Sequence, residues 1–114
     1  MAGWYEIRNT SDGQFDFVLK AGNGEVILHS ERYKAKPSAL NGIASVQKNS
    51  PDDSQYEKKV AKNGQPYFVL KARNHEIIGN SELYSSEAAR DNGIASVKTN
   101  GPSTVVKDLT AAKV

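Results

Sequence analysis

Hydrophobic and polar residues alternate along two segments of the chain, at 16–21 and 67–72. A period of two is typical of β-strands that bury one face against a core. The residues expected to face the core are Phe17, Leu19, Ala21, Phe68, Leu70 and Ala72. Those expected on the opposite face are Asp16, Val18, Lys20, Tyr67, Val69 and Lys71.

Two further segments, 37–49 and 88–100, carry apolar residues at the spacing of one helix face. These residues are Ala39, Ile43 and Val46 in the first segment, and Ile94 and Val97 in the second. Pro37 suits the first turn of a helix, and Ser85 or Ser86 can cap the second helix through its hydroxyl oxygen. The pattern therefore predicts two α-helices, each with one apolar side.

The two halves of the chain are copies of each other. At an offset of 51 residues, 23 of the 47 positions in 5–51 match those in 56–102 without a gap. The segments Phe-Val-Leu-Lys-Ala and Asn-Gly-Ile-Ala-Ser-Val occur once in each half. Identity at this level indicates an internal duplication.

Pairs of turn residues stand at the same places in both copies. They are Asp12-Gly13 and Asn63-Gly64, followed by Asn23-Gly24 and Asn74-His75. Asn-Gly and Asp-Gly tolerate the positive φ of tight hairpins, so each pair predicts a hairpin turn. His75 stands where the first copy has glycine, and we expect it to adopt a left-handed backbone at a cost of about 1 kcal/mol.

These elements predict one domain, 1–114, made of two repeats at about 4–53 and 55–104. Closing strands are expected near 54–60 and 103–108, and residues 109–114 are expected to fray. The fold class is α+β: a single antiparallel sheet with two helices packed on one face and the other face open.

The composition argues against several classes of function. Fifteen basic and thirteen acidic residues leave a net charge of only +2, which is far from the basic patch that binding to a phosphate backbone requires. The chain has no cysteine, so disulfides and thiolate metal sites are excluded. There is no apolar stretch long enough for a membrane span and no pattern of a signal peptide, so we expect a cytoplasmic protein without a membrane partner.

Catalytic signatures are missing. Gly22-Asn23-Gly24 lacks the rest of a phosphate-binding motif and is followed by a predicted strand, so it is interpreted as a hairpin turn. His29 and His75 lie at unrelated positions of the two copies, and neither has a second ligand at metal-binding spacing. No motif places a nucleophile beside a base. We therefore expect a protein that is not an enzyme and has no cofactor or metal.

Some residues that are identical in both copies allow a second interpretation. The glutamates Glu6 and Glu57, Glu25 and Glu76, and Glu31 and Glu82 could form carboxylate pairs about a pseudo-twofold axis, although solvated strand and turn positions explain them as well. Gly42 and Gly93 lie inside the predicted helices, where glycine costs roughly 0.5 to 1 kcal/mol relative to alanine. Close helix packing explains them, and contact between the backbone and a ligand is the alternative.

The chain resembles the YegP-like family in its duplicated form. The resemblance rests on Gly3-Trp4-Tyr5-Glu6, the run from Phe17 to Glu25, the turn from Ala72 to His75 and both Asn-Gly-Ile-Ala-Ser-Val segments. It implies two β-β-β-α-β units that share one sheet and exchange their last strands. The family is one of uncharacterised function, so the resemblance implies no catalytic or binding residues.

The leading functional hypothesis is a small non-enzymatic module that binds a protein or a small ligand on its open sheet face, because exposed apolar area rimmed by charge marks binding sites. The candidate residues on that face are Val18, Lys20, Ile27, Tyr67, Val69, Lys71 and Ile78. The alternative is weak binding of single-stranded nucleic acid, with Tyr67 stacking on bases and Lys20 and Lys71 contacting phosphates.

The predicted architecture also bears on assembly. We expect the intact chain to be a monomer that is internally a pseudo-dimer. A fragment of residues 1–61 should not be a stable monomer, and should instead pair as a symmetric homodimer.

Overall fold

The computed structural model describes residues 3–110 and contains one sheet and two α-helices in that range. The elements are β1 (Trp4–Asn9), β2 (Phe15–Lys20), β3 (Val26–Ser30), α1 (Lys36–Asn49), a 3-10 turn (Asp53–Gln55), β4 (Tyr56–Val60), β5 (Pro66–Lys71), β6 (Ile77–Asn80), α2 (Glu87–Asn100) and β7 (Val106–Asp108). The α+β class and the two helices are thus confirmed. Their bounds lie within one residue of the predicted ones.

The seven strands lie in the order β4-β5-β6-β3-β2-β1-β7. Each repeat forms a three-stranded antiparallel meander, and the meanders meet where β3 pairs antiparallel with β6. The prediction of an entirely antiparallel sheet is wrong at one edge, because β7 runs parallel to β1. Tight turns force consecutive strands to be antiparallel, and no such turn joins β1 to β7.

The segments that follow the two helices form the two edge strands of the sheet. The segment predicted near 54–60 becomes β4, which lies beside β5 and repeats the register of β1, since Tyr56 faces Leu70 as Tyr5 faces Leu19. The segment predicted near 103–108 is shorter than expected and becomes β7, at the outer edge of the first repeat.

Turn chemistry follows the sequence. The left-handed conformation expected at His75 is confirmed, with φ of 71°, and Gly24 at the equivalent position has φ of 87°. Residues 109 and 110 of the predicted frayed tail are hydrogen-bonded, because the Leu109 amide donates to the Ile7 carbonyl at 2.8 Å and the Thr110 amide donates to the Asp108 carboxylate at 3.0 Å. The rest of the predicted frayed tail, 111–114, lies outside the described residues.

A bulge interrupts the alternation of β3 and of β6. Leu28 faces Leu19 while Val26 faces Lys20, so Ile27 is an extra residue in its strand. Ile78 has the same position between Ile77 and Gly79. A bulge turns an additional side chain toward one face. Ile27 and Ile78 consequently belong to the core cluster beneath the helices, and their predicted place on the open face is wrong.

Two equivalent groups of three aromatic rings occupy the core between sheet and helices. Phe17 packs edge-on against Tyr5 and stacks on Tyr33, with centroid distances of 5.9 and 6.3 Å. Tyr56, Phe68 and Tyr84 repeat the arrangement at 5.7 and 6.3 Å. Edge-on and stacked geometries are those that aromatic rings prefer, so each repeat has a rigid aromatic centre.

Gly42 and Gly93 lie directly against these tyrosines. A Cβ at Gly42 would stand 2.5 Å from the Tyr33 hydroxyl, and a Cβ at Gly93 would stand 2.7 Å from Cζ of Tyr84. The predicted close packing of the helices is confirmed, because each glycine makes room for a tyrosine ring.

The two repeats differ where they approach each other most closely. Gly79 stands at the repeat position of Leu28, and a Cβ there would lie 2.6 Å from the His29 carbonyl and 3.1 Å from Cγ of Leu28. Gly101 stands at the repeat position of Ser50, and its Cβ would overlap the Ser50 side chain. At both places the first repeat supplies the side chain and the second supplies the space.

This asymmetry bears on the fragment 1–61, whose homodimer stays a prediction. A symmetric pair of first repeats would oppose Leu28 to Leu28 and Ser50 to Ser50, whereas the intact chain opposes each of these side chains to a glycine. The homodimer would therefore have to pack differently at both places.

We predict that Gly101→Ser lowers the free energy of unfolding by about 1–3 kcal/mol, since it overpacks the contact with Ser50. The exchange Ser50→Gly with Gly101→Ser moves the hydroxymethyl group to the other side and should recover most of the loss. Denaturant unfolding of the two single variants and the double variant gives the coupling. Additive effects of the two changes would contradict the proposed contact.

Candidate functional site

The open sheet face is charged rather than apolar. Val18 is 0% exposed and Val69 is 4% exposed, although both point away from the helices. Val18 pairs with Glu6 and His29, and Val69 pairs with Glu57 and Asn80. Long polar side chains on both sides therefore bury the valines. The exposed apolar surface expected from Val18, Ile27, Val69 and Ile78 does not form.

The lysines of this face are held in ion pairs. Lys20 Nζ lies 3.2 Å from Glu6 Oε1, and Lys71 forms the equivalent ion pair with Glu57. The Trp4 indole N–H donates to Glu6 at 2.9 Å, and the Lys107 ammonium lies 4.3 Å from the centroid of the Trp4 ring. These contacts lower the pKa of the Glu6 carboxyl, with the Trp4 hydrogen bond as the largest cause. The side chain of Tyr67 is half-buried opposite Lys59.

Among the concave sites of residues 3–110, two have equivalent positions, each between a helix of one repeat and a hairpin of the other. Cleft 1 has a volume of about 540 Å³ and lies between the β2–β3 hairpin and α2. Its lining residues are Ala21, Asn23, Glu25, Val26, Ile27, Glu82, Tyr84, Ala89, Asn92, Gly93 and Ser96. Cleft 2 has a volume of about 230 Å³ and lies between the β5–β6 hairpin and α1. Its lining residues are Tyr33, Ser38, Asn41, Gly42, Ser45, Ala72, Asn74, Glu76, Ile77 and Ile78.

The two clefts are made of equivalent residues. Every residue that lines cleft 2 has a partner 51 positions away that lines cleft 1, and eight of these ten pairs are identical in type. Along the whole aligned repeat, only 23 of 47 pairs are identical. Core packing explains the shared isoleucine and glycine. It does not explain Asn41, Asn92, Glu25 and Glu76, which are exposed.

A tyrosine hydroxyl lies at the inner end of each cleft. Tyr84 is half-buried, stacked on Phe68, and held by the hydrogen bond from its amide to the Pro66 carbonyl at 2.8 Å. Burial raises the pKa of the Tyr84 phenol, and the nearby carboxylates of Glu82 and Glu25 raise it further. The phenol is therefore protonated at neutral pH.

Cleft 2 has the same electrostatics. Burial is the largest cause that raises the pKa of the Tyr33 phenol, followed by the carboxylates of Glu31 and Glu76. Each phenol is thus influenced by one carboxylate from its own repeat and one from the hairpin of the other repeat. This geometry brings together side chains far apart in the sequence.

The equivalent serines Ser96 and Ser45 are not set up as nucleophiles. Ser96 Oγ lies 3.2 Å from the amide nitrogen of Asn100, which is a donor rather than a base, and Ser45 has the same relation to Asn49. No histidine or cysteine lines either cleft. The lining can hold a ligand through hydrogen bonds and charge, against an apolar floor made partly by Ile27 or Ile78.

Sequence reasoning noted some of these residues but did not join them into a site. Glu25, Glu76, Gly42 and Gly93 were considered as residues shared by both copies, whereas Asn92 and Ser96 entered only as part of the repeated Asn-Gly-Ile-Ala-Ser-Val segment. Tyr84 was not predicted to belong to a site. The sequence could have indicated the site through polar residues that are identical in both copies. It could not show that the hairpin of one repeat lies beside the helix of the other.

Within residues 3–110, no group of three or more histidine, cysteine or acidic side chains is arranged to hold a metal ion. No helix in this range has the length and apolar character needed to cross a membrane.

The chain is similar to known proteins of one family. The family model for the domain of unknown function DUF1508 matches it twice, at residues 10–57 and 61–108. The chain belongs to the DUF1508 family. A UPF0339 protein of Acinetobacter baylyi is 67% identical over 96% of this chain and 99% of its own length. The UPF0339 protein YegP of Escherichia coli K12 is 61% identical over 96% of this chain and its own full length.

Two solution NMR structures of DUF1508 relatives have the same fold. A UPF0339 protein of Shewanella oneidensis superposes with a TM-score of 0.91 at 64% identity, covering 96% of this chain and 93% of that one. The E. coli protein yegP, which is of unknown function, superposes with a TM-score of 0.93 at 59% identity, covering 99% and 97%. The resemblance to the YegP-like family is thus confirmed, and none of these relatives indicates a specific activity.

We predict that Glu25→Gln lowers the pKa of the Tyr84 phenol and leaves that of Tyr33 unchanged. A carboxylate opposes formation of a phenolate beside it, so its removal eases deprotonation. NMR titration of Tyr ring carbons in the alkaline range measures both groups in one sample. Glu76→Gln is the matched control and should act on Tyr33 alone. An unchanged Tyr84 pKa would show that Glu25 does not face cleft 1.

Proposed function

We propose that this DUF1508 protein is a non-enzymatic binding protein whose ligand, a small organic molecule, occupies cleft 1 and cleft 2. The observation that carries the proposal is the near identity of the two linings. Exposed side chains of one lining recur in the other, Glu25 as Glu76 and Asn92 as Asn41, at positions that core packing does not explain.

The composition of the clefts supports this proposal. Ligand sites combine an apolar surface with a few convergent polar groups, in volumes of roughly 300–1,000 Å³. Cleft 1, at about 540 Å³, lies within that range, and its polar groups come from three separate elements. Cleft 2, at about 230 Å³, suits a smaller ligand or the end group of a larger one.

The architecture adds a second argument. Each cleft takes its hairpin from one repeat and its helix and tyrosine from the other, so neither repeat has a complete site alone. A ligand bound there contacts both repeats and stabilises their association. Binding to the folded state alone raises the melting temperature by mass action.

The open sheet face offers less support for the alternative, single-stranded nucleic-acid binding. Lys20 and Lys71 are already paired with Glu6 and Glu57, so a phosphate would have to displace a carboxylate from each. Only Tyr67 of the candidate face remains as a half-buried aromatic ring for stacking.

We predict that small molecules of mixed chemistry bind at the clefts of the intact chain. In ¹H–¹⁵N NMR spectra, a mixture of small amines, acids, alcohols and aromatic compounds should shift the amides of Glu25, Asn92 and Gly93, together with their counterparts in cleft 2. Ala89→Phe places a ring in cleft 1 and should abolish only the first set of shifts, and Ser38→Phe should do the same for cleft 2.

The two variants control for each other, because each leaves the opposite cleft intact. Shifts that persist in cleft 1 of Ala89→Phe, or a complete absence of shifts in both clefts of the unmodified protein, would contradict the proposed function.

A further inference from the structure

We infer that the ligand of the clefts carries an aliphatic primary ammonium group. This inference rests on the proposed function and specifies the chemistry of its ligand. It follows from the charges that line the clefts, the pairing state of those charges, and the hydrogen-bonding groups beside them.

The clefts are acidic in a protein whose basic residues outnumber its acidic ones. Lysine and arginine together number 15 and give a net charge of +2, yet none of them lines either cleft. Cleft 1 has Glu25 and Glu82, and cleft 2 has Glu76 with Glu31 close enough to act on Tyr33. An anionic ligand would meet only repulsion from these side chains.

The pairing of carboxylates elsewhere sharpens this observation. Seven of the 13 acidic residues form an ion pair with a lysine or arginine, namely Glu6, Asp12, Asp16, Asp53, Glu57, Asp91 and Asp108. In cleft 1, the Glu82 carboxylate contacts the imidazole of His29. Among the described residues, neither Glu25 nor Glu76 has an ion-pair partner.

The neighbouring polar atoms suit an ammonium group. An ammonium group donates three hydrogen bonds and accepts none. Cleft 1 offers it the carboxylate of Glu25, the phenol oxygen of Tyr84 and the side-chain carbonyl of Asn92 as acceptors. The same three acceptors occur in cleft 2 as Glu76, Tyr33 and Asn41.

The apolar part of the lining suits an alkyl chain. Ala21, Val26 and Ile27 form one side of cleft 1, opposite the face of α2 that carries Ala89 and Gly93. The start of α2 is disfavoured as an anion site, because the Ser86 hydroxyl accepts from the Ala89 amide at 3.1 Å and Glu87 places a carboxylate in the first turn. An alkylammonium ion therefore matches both the charge and the apolar surface.

Three probes with the same alkyl chain test the inference on the intact chain: pentylammonium, 1-pentanol and pentanoate. In ¹H–¹⁵N NMR titrations, pentylammonium should shift the amides of both clefts, 1-pentanol should do so more weakly, and pentanoate should not. Glu25→Gln should weaken pentylammonium binding in cleft 1 by about twofold to fivefold, as expected for an exposed ion pair. Glu76→Gln should do the same in cleft 2 only. Added salt should weaken both.

The outcomes separate this inference from the proposed function. If 1-pentanol or pentanoate binds the clefts as well as pentylammonium does, the clefts remain binding sites and the ammonium inference is overturned. Equal pentylammonium affinity in Glu25→Gln and the unmodified protein also overturns it. Absence of binding by all three probes overturns it too, while the mixture described above decides on the proposed function.

The ammonium group could belong to a free polyamine or to a lysine side chain, and two larger probes distinguish these sources. 1,5-Diaminopentane represents the first, and lysine acetylated on its α-amine and amidated on its carboxyl represents the second. If one of these two probes binds the clefts more tightly than the other, the result supports the inference and identifies the source of the ammonium group.

Discussion

The close approach of the two repeats along their pseudo-twofold axis governs the rest of the molecule. Strands β3 and β6 meet over only two residue pairs, His29 with Asn80 and Ser30 with Gly79. Backbones can come that near because Gly79 has no side chain to oppose Leu28. This contact makes one continuous sheet out of two meanders. It also brings each helix over strands of the other repeat, and so creates both clefts.

The duplication therefore provides more than a doubled surface. Across the axis, α2 and Tyr84 meet the hairpin that carries Glu25, and α1 and Tyr33 meet the hairpin that carries Glu76. Stability and the candidate site thus depend on the same association, because both are completed only when the two repeats are joined.

Local pattern was enough to predict the secondary structure. Helical spacing of Ile43 and Val46 gave α1 within one residue, and the glycine-containing turns, together with His75, gave the hairpins. The residues of the open face were predicted incorrectly because a strict alternation assumes a regular strand without a bulge. One extra residue at Ile27 and one at Ile78 moved two expected surface residues into the core.

The parallel direction of β7 and the composition of the clefts escaped prediction for a different reason. Both depend on contacts between residues that are distant in the chain, such as Tyr5 with Val106 or Glu25 with Tyr84. The burial of Val18 likewise depends on Glu6 and His29, which lie beside it only after the strands pair. Repeat identity located the relevant residues, and only the topology showed which of them meet.

The parallel pairing of β1 and β7 determines how the chain would respond to mechanical force. Because both strands run in the same direction, a pull on the two chain ends acts along the strands in opposite senses. The bonds from Tyr5 to Val105 and from Leu109 to Ile7 would then be loaded together in shear, rather than opened one at a time. The pairing of β7 with β1 therefore resists tension applied to the two ends of the chain.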